Sequence, residues 1–152
     1  MEPDQKPVLF AYDGSEQAKN AIRQAGAELR TPRKAVVLAA YEPLGAIPFW
    51  GVPAATVPPE WLEQVREQAA RTAAEGAELA NSVGFEASSS VNDGVRTWQA
   101  ILDAAEEIDA GMIVLGSHGR GSVGSAVMGS VATAVAHHAR RPVLICRPES
   151  SG

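Results

Sequence analysis

At 152 residues the chain is long enough for one domain with a full core and too short for two ordinary ones. Its 45% hydrophobic and 20% charged residues, without a low-complexity tract, exclude a disordered or fibrous chain. The formal charge is −5, lysine occurs only at Lys6, Lys19 and Lys34, and arginine is scattered apart from Arg140 and Arg141. This argues against nucleic acid or a membrane surface as a partner, because both call for a basic face.

No apolar run approaches the ~18 residues of a membrane span, and the acidic start MEPDQKP lacks the charged-then-apolar layout of a signal peptide. A cytoplasmic location is the expectation. Cys146 is the one cysteine, so no intramolecular disulfide can form; within an apolar run it reads as a small buried hydrophobe.

Residues 8–12, bounded by Pro7 and by Asp13-Gly14, predict a short strand buried on both faces. A helix follows, with Ala18, Ile22, Ala25 and Leu29 on one stripe and Pro32 beyond its end. Residues 35–41 read as a second interior strand, stopped by Glu42-Pro43. From 43 to 59 five prolines preclude a regular helix or central strand, so the segment reads as a long loop carrying Phe49 and Trp50. Pro59 suits the first position of the next helix, 60–82, whose apolar face holds Leu62, Val65, Ala69, Ala73, Gly76 and Ala80.

Residues 85–91 alternate apolar and polar, which predicts a strand with one wet face at an edge. Asn92-Asp93-Gly94 reads as a turn. A helix over 97–108 directs Trp98, Ile101, Ala105 and Ile108 inward, and residues 112–115 form a strand. After a glycine-rich loop come a helix over 130–138 and a strand over 142–146. Five strands alternating with four helices require crossover connections, so the fold class is α/β: a single-domain, doubly wound parallel sheet with helices on both faces.

In such a sheet ligands bind beyond the carboxyl ends of the strands, where strand order reverses. The first strand delivers Ala11, Tyr12, Asp13 and Gly14 to its carboxyl end. The fourth delivers a loop with Gly116, Gly119, Gly121, Gly124 and Gly129, leading into a helix at Ser130. Bare backbone beside unpaired helix N–H groups is an anion cradle. The P-loop pattern fails, because Ser130-Val131 follows Gly129 and no lysine is near; the dinucleotide pattern fails too, because the first strand is followed by Asp13-Gly14-Ser15-Glu16 with one glycine.

What fits is Gly-x-x-Gly, nine residues, then Gly-Ser, at Gly116, Gly119, Gly129 and Ser130. Together with Asp13-Gly14-Ser15, with Gly94, Ile101, Ala104, Glu106 and Asp109 leading into Ile113-Val114, with Ser117-His118-Gly119-Arg120-Gly121, and with Arg141-Pro142-Val143-Leu144-Ile145, this set resembles the universal stress protein family, UspA-like and in its ATP-binding subgroup. The likeness spans essentially the whole chain. It implies a five-stranded sheet of order 3-2-1-4-5, like that of the adenine-nucleotide alpha-hydrolase fold, with a nucleotide between strands 1 and 4. The ligand implied is ATP or another adenine nucleotide, with or without Mg²⁺. Ala11, Tyr12 and Asp13 would meet the ribose or adenine end, and Ala40 would offer backbone to the adenine edge. Gly116, Ser117, His118, Gly119, Arg120 and Gly121 would wrap the ribose and phosphates; Gly129, Ser130 and Val131 would hold the outer phosphates. Ala132 departs from the family, which often has a hydroxyl there. A homodimer through the last strand, at Val143, Leu144 and Ile145, is also implied, since a bare apolar edge needs cover.

Other roles stand beside these. Asp13 with Glu16 three residues on is a capping arrangement for the first helix, and Ser130 is a plausible cap for the last. His118 lies in the loop with no nucleophile or partnering carboxylate in evidence, so backbone-mediated ligand contact is preferred to general-base work. His137 and His138 complement a helix C-terminus. No metal site and no catalytic residue stand out. The expected function is a nucleotide-dependent sensor or regulator in stress response. Its alternatives are a slow ATP hydrolase in the same pocket, disfavoured by the missing lysine and missing Mg²⁺ ligand, and a dimeric interaction module without nucleotide.

Overall fold

The computed structural model describes residues 6–41, 57–94, 96–119 and 127–148. The expectations for Phe49, Trp50, Arg120, Gly121 and Gly124 lie outside these residues. In chain order the elements are β1 (Val8–Ala11), α1 (Glu16–Glu28), β2 (Arg33–Tyr41), α2 (Pro59–Ser82), β3 (Phe85–Asp93), α3 (Thr97–Glu107), β4 (Met112–Gly116), α4 (Ser130–His138) and β5 (Val143–Cys146). The sheet order is β3-β2-β1-β4-β5, and every pairing is parallel, as expected.

Apolar runs without alternation form the centre because helices cover both faces. Val8, Leu9 and Phe10 of β1 are all at most 1% exposed. Their side chains still alternate between two cores. Val8, Phe10 and Tyr12 join Ala18, Ile22 and Ala25 of α1 and Ala77 and Ala80 of α2 on one face. Leu9 joins Ile101, Ala104 and Ala105 of α3 and Ala132 and Val135 of α4 on the other. Phe10 and Phe85 meet edge to face, with centroids 5.2 Å apart, which ties the centre of the sheet to its β3 edge. Cys146 is buried beside α1 and burial pushes its thiol pKa up, so it acts as a small hydrophobe.

Three local expectations are corrected. First, β3 does not turn at Asn92 and Asp93. Because β2 continues to Tyr41, both residues find ladder partners, Ala40 with Asn92 and Tyr41 with Asp93. Second, α1 is capped by Ser15, whose Oγ accepts from the Ala18 N–H at 3.1 Å. Asp13 lies one step earlier, and its Oδ1 accepts from the Ser15 N–H at 2.9 Å, fixing the turn that precedes the cap. Third, α4 has Gly129 as its N-cap and Ser130 as its first helical residue, so Ser130 does not cap it.

The long helix α2 starts with Pro59 behind the cap residue Pro58, as expected. Its buried positions, Ala73, Gly76, Ala77 and Ala80, fall in its carboxyl half; Leu62, Val65 and Ala69 are only partly buried. At ~1.5 Å per residue the helix outruns the strands beneath it, and its first turns overhang the carboxyl ends of β1 and β2.

The amino end of the sheet is held by charge. Arg141, just before β5, donates to Glu106 at 3.0 and 3.3 Å, to Asp109 at 2.9 Å and to the Ala110 carbonyl at 2.6 Å. Lys6 meets Asp109 at 3.3 Å. Asp109 takes a positive φ of 51°, the left-handed position that ends α3 and brings its carboxylate round to both cations. Hydrogen bonds from Arg141 hold the carboxyls of Glu106 and Asp109 below their ordinary values of 4.5 and 3.8. Depressed carboxylate pKa values stabilise the fold above those ordinary values, and the contribution is lost as pH falls through the lowered ones. Arg141→Ala is therefore expected to lower the melting temperature at pH 7, with the gap from the parent protein closing as pH drops from 5 toward 3. A gap that is constant across thermal melts at these pH values would show that the network is not what Arg141 contributes.

Candidate functional site

The crossover through α1 leaves β1 on one face of the sheet and the crossover through α4 leaves β4 on the other, so a crevice opens between their carboxyl ends. A cleft of about 290 Å³ occupies it. Its lining brings together Ala11, Tyr12 and Asp13 from β1 and its exit, and Ala40 from the end of β2. From the β4 exit come Gly116, His118 and Gly119, and from the start of α4 come Gly129, Ser130 and Val131. Ten of the sequence-predicted site residues thus converge on one space. Arg120 and Gly121 lie outside the described residues, and Ser117 is placed differently.

Ser117 is 1% exposed and absent from the cleft wall. Its N–H donates to the Cys146 carbonyl at 2.9 Å, and its own carbonyl accepts from the Gly129 N–H at 2.7 Å. It is the joint that extends the β4–β5 ladder by one bond and hangs the start of α4 from it. Tyr12 reaches the cleft, but its ring belongs to the α1/α2 core, where its hydroxyl donates to Glu75 at 2.9 Å. Burial, then the Glu75 carboxylate, push the phenol pKa upward, so Tyr12 stays neutral.

The glycines are required by space rather than by backbone conformation. Among the described residues positive φ at glycine falls on Gly14 and Gly84, away from this loop. A Cβ on Gly129 would sit 3.2 Å from the Ser117 carbonyl oxygen and 3.3 Å from His118 Cα; one on Gly119 would sit 2.7 Å from Asp13 Oδ2. The first contact would make the Ser117–His118 backbone give by a few tenths of an ångström, and the second would make the Asp13 carboxylate turn aside.

The electrostatics favour an anion at one end. The first turn of α4 has no acidic residue, and its Gly129 N-cap supplies no side-chain acceptor, which leaves its leading N–H groups facing the cleft beside the Ser130 hydroxyl. Among the described residues Asp13 is the one carboxylate in the wall, and it faces them from the β1 side. Among the described residues no three His, Cys, Asp or Glu side chains converge to hold a metal, and no helix is long and apolar enough to cross a membrane.

The sequence matches the universal stress protein family over residues 5–147. It is 34% identical over 143 residues to the Thermus aquaticus universal stress protein in QAH/OAS sulfhydrylase 3′ region, covering 93% of this chain and 98% of that one. The chain belongs to the universal stress protein family. Among solved structures, a universal stress protein in complex with cAMP aligns at a TM-score of 0.61 and 22% identity, over 94% of this chain and 97% of that one. The universal stress protein of Archaeoglobus fulgidus in complex with dAMP aligns at 0.61 and 21%, over 92% and 96%. At these identities the structures attest the shared fold.

In this universal stress protein the cleft also has walls that sequence reasoning assigned elsewhere. Leu38, Ile101 and Leu115 line it, as does Thr97 at the start of α3, beside Ala132, already expected at the phosphate end. Ile101 and Leu115 were expected as core and are core, at 1% and 4% exposure; their ends also form the apolar floor. The available signal was their position one turn or one residue from the sheet's carboxyl end.

The contact between Gly119 and Asp13 gives a direct test. Gly119→Ala is expected to cost about 1–2 kcal/mol, because the Asp13 carboxylate must rotate off its bond to the Ser15 N–H. In urea titrations of a double-mutant cycle, most of that cost should vanish in an Asp13→Ala background. Additive penalties would show that the two residues do not press on one another.

Proposed function

We propose that the cleft between β1 and β4 binds an adenine nucleotide, and that the chain acts as a nucleotide-dependent regulator in stress response. The observation that carries the reading is the pairing of opposites across one crevice. Asp13 projects from β1 as a carboxylate suited to ribose hydroxyls, while the uncapped start of α4 presents N–H groups suited to phosphate. The aliphatic floor of Leu38, Ile101 and Leu115 suits a flat base between them, with Ala40 offering backbone to the adenine edge. Backbone at Gly116 and Gly119 follows the ribose and inner phosphate; Gly129, Ser130 and Val131 take the outer phosphates. Binding of cAMP and dAMP by proteins of the same fold supports adenine as the base. ATP is the nucleotide that the family resemblance implies. Ala132, 3% exposed, brings no hydroxyl, so the outer phosphates rely on Ser130 and the helix N–H groups. A Mg²⁺ ion entering here would arrive on the phosphates.

The reading is tested by mass spectrometry of nucleotide carried through purification and by calorimetry with ATP, AMP and GTP. Adenine nucleotides are expected to bind and GTP to bind more weakly. Asp13→Ala should cost about tenfold in affinity, the ~1.4 kcal/mol of one charge-assisted hydrogen bond. No co-purifying nucleotide and no heat at millimolar ligand would sink the proposal.

The same reading includes a homodimer through β5, in a cytoplasmic protein. Val143, Leu144 and Ile145 are partly buried by the two cores, yet β5 is the last strand of the sheet and its outer backbone edge needs a partner. Sedimentation is expected to give about twice the chain mass of 15.9 kDa, and Leu144→Asp a monomer. A monomeric parent protein would sink the dimer, and a Leu144→Asp variant that stays dimeric would place the interface elsewhere.

A further inference from the structure

The ring of His118 bridges the two ends of the glycine stretch. Its Nδ1 lies 3.0 Å from Ser117 Oγ, and its Nε2 is hydrogen-bonded to the backbone carbonyl of Val127. A carbonyl only accepts, so Nε2 carries the proton and Nδ1 is the acceptor for the Ser117 hydroxyl. Both ring nitrogens are then engaged. Next to this bridge the Gly129 N–H bonds the Ser117 carbonyl at 2.7 Å.

Ser117 is a fixed point. It is buried, and its own N–H is bonded to Cys146 in β5. Val127, by contrast, is exposed, with 72% of its surface open to solvent. Among the described residues, two hydrogen bonds tie the lead-in of α4 to the β4 exit, one from the Gly129 backbone and one from the His118 ring. The direction in which the first turn of α4 presents its N–H groups depends on both.

We propose that His118 is a positioning residue for the anion end of the cleft: its ring clasps Val127 to the β4 exit and so sets the approach of Gly129 and Ser130. The effect on binding rests on the nucleotide reading above; the clasp itself is a property of the protein without nucleotide. Glutamine at 118 places an amide N–H near the position of Nε2 and can still reach the Val127 carbonyl. Asparagine ends near Nδ1, keeps the Ser117 contact and falls short of Val127.

The test compares His118→Ala, His118→Asn and His118→Gln. In deuterium exchange without nucleotide, the Gly129 amide is expected to exchange about tenfold faster in the alanine and asparagine variants and near the parent rate in the glutamine variant, with β1 and β4 unchanged in all three. ATP affinity by calorimetry is expected to fall about tenfold in alanine and asparagine and to be kept within about threefold in glutamine. Equal Gly129 exchange in parent and alanine variants, or a glutamine variant no better than asparagine, would overturn the clasp. Faster exchange with unchanged affinity would overturn its link to binding. A parent protein that binds no adenine nucleotide but shows the expected exchange pattern would overturn the nucleotide reading and leave the clasp standing.

Discussion

The carboxyl end of β4 is where backbone meets backbone, and the rest of the cleft depends on that approach. Gly129 lies tightly against the Ser117 carbonyl and His118 Cα, and Gly119 lies against the carboxylate of Asp13. The short hydrogen bond from the Gly129 N–H to Ser117 is possible because nothing stands between them. This joint fixes how near α4 comes to β1. It therefore fixes the width of the crevice and the facing of its two poles, the helix start and Asp13. A β-carbon at Gly129 would press on the Ser117 carbonyl and the His118 backbone, and one at Gly119 would turn the Asp13 carboxylate.

The two ends of the sheet are held by different physics. At the amino end, Arg141 and Lys6 gather Glu106 and Asp109 into an exposed charged network, which salt and acid weaken. At the carboxyl end, Ser117, His118, Val127 and Gly129 form neutral hydrogen bonds, and among the described residues Asp13 is the one carboxylate that lines the cleft. That division has a consequence for ligand binding. A second carboxylate near α4 would cancel the partial positive charge of its first turn, worth roughly 0.3–1 kcal/mol to an anion and more when partly buried. With no acidic residue in the first turn of α4, that charge is available.

Much of this was legible in the sequence, for reasons that can be named. Continuous apolar runs at 8–12 and 35–41 and the helical stripes beside them report burial directly, and burial is what an interior strand is. The strand order was not in those patterns; it came with the family resemblance. Ten site residues could be placed because glycine and Asp13 sit at element ends, where local sequence and site geometry coincide. The failures share a cause. Asp13 and Ser15 are both good caps locally, and only the exit angle of β1 decides that Ser15 caps and Asp13 holds the turn. Asn92 and Asp93 have turn chemistry, and only a neighbouring strand that runs on to Tyr41 keeps them extended. In each case a tertiary partner overrides a local preference worth about 1 kcal/mol or less.

Ser117 and His118 show the limit most clearly. Adjacent in sequence and both polar, they read as equivalent members of one loop, yet one is buried as a structural joint and the other borders the cleft while its ring spans nine positions to Val127. A hydrogen bond between a side chain and a distant backbone carbonyl leaves no periodicity behind, because any residue at 127 supplies the same acceptor. The acceptor is indifferent to identity, but the donor is not: only a side chain with a donor at the reach of Nε2 and an acceptor at the reach of Nδ1 satisfies both partners. The information about the clasp is therefore concentrated at position 118, and the glycine pattern that first drew attention to this loop marks where the backbone comes close rather than what holds it there.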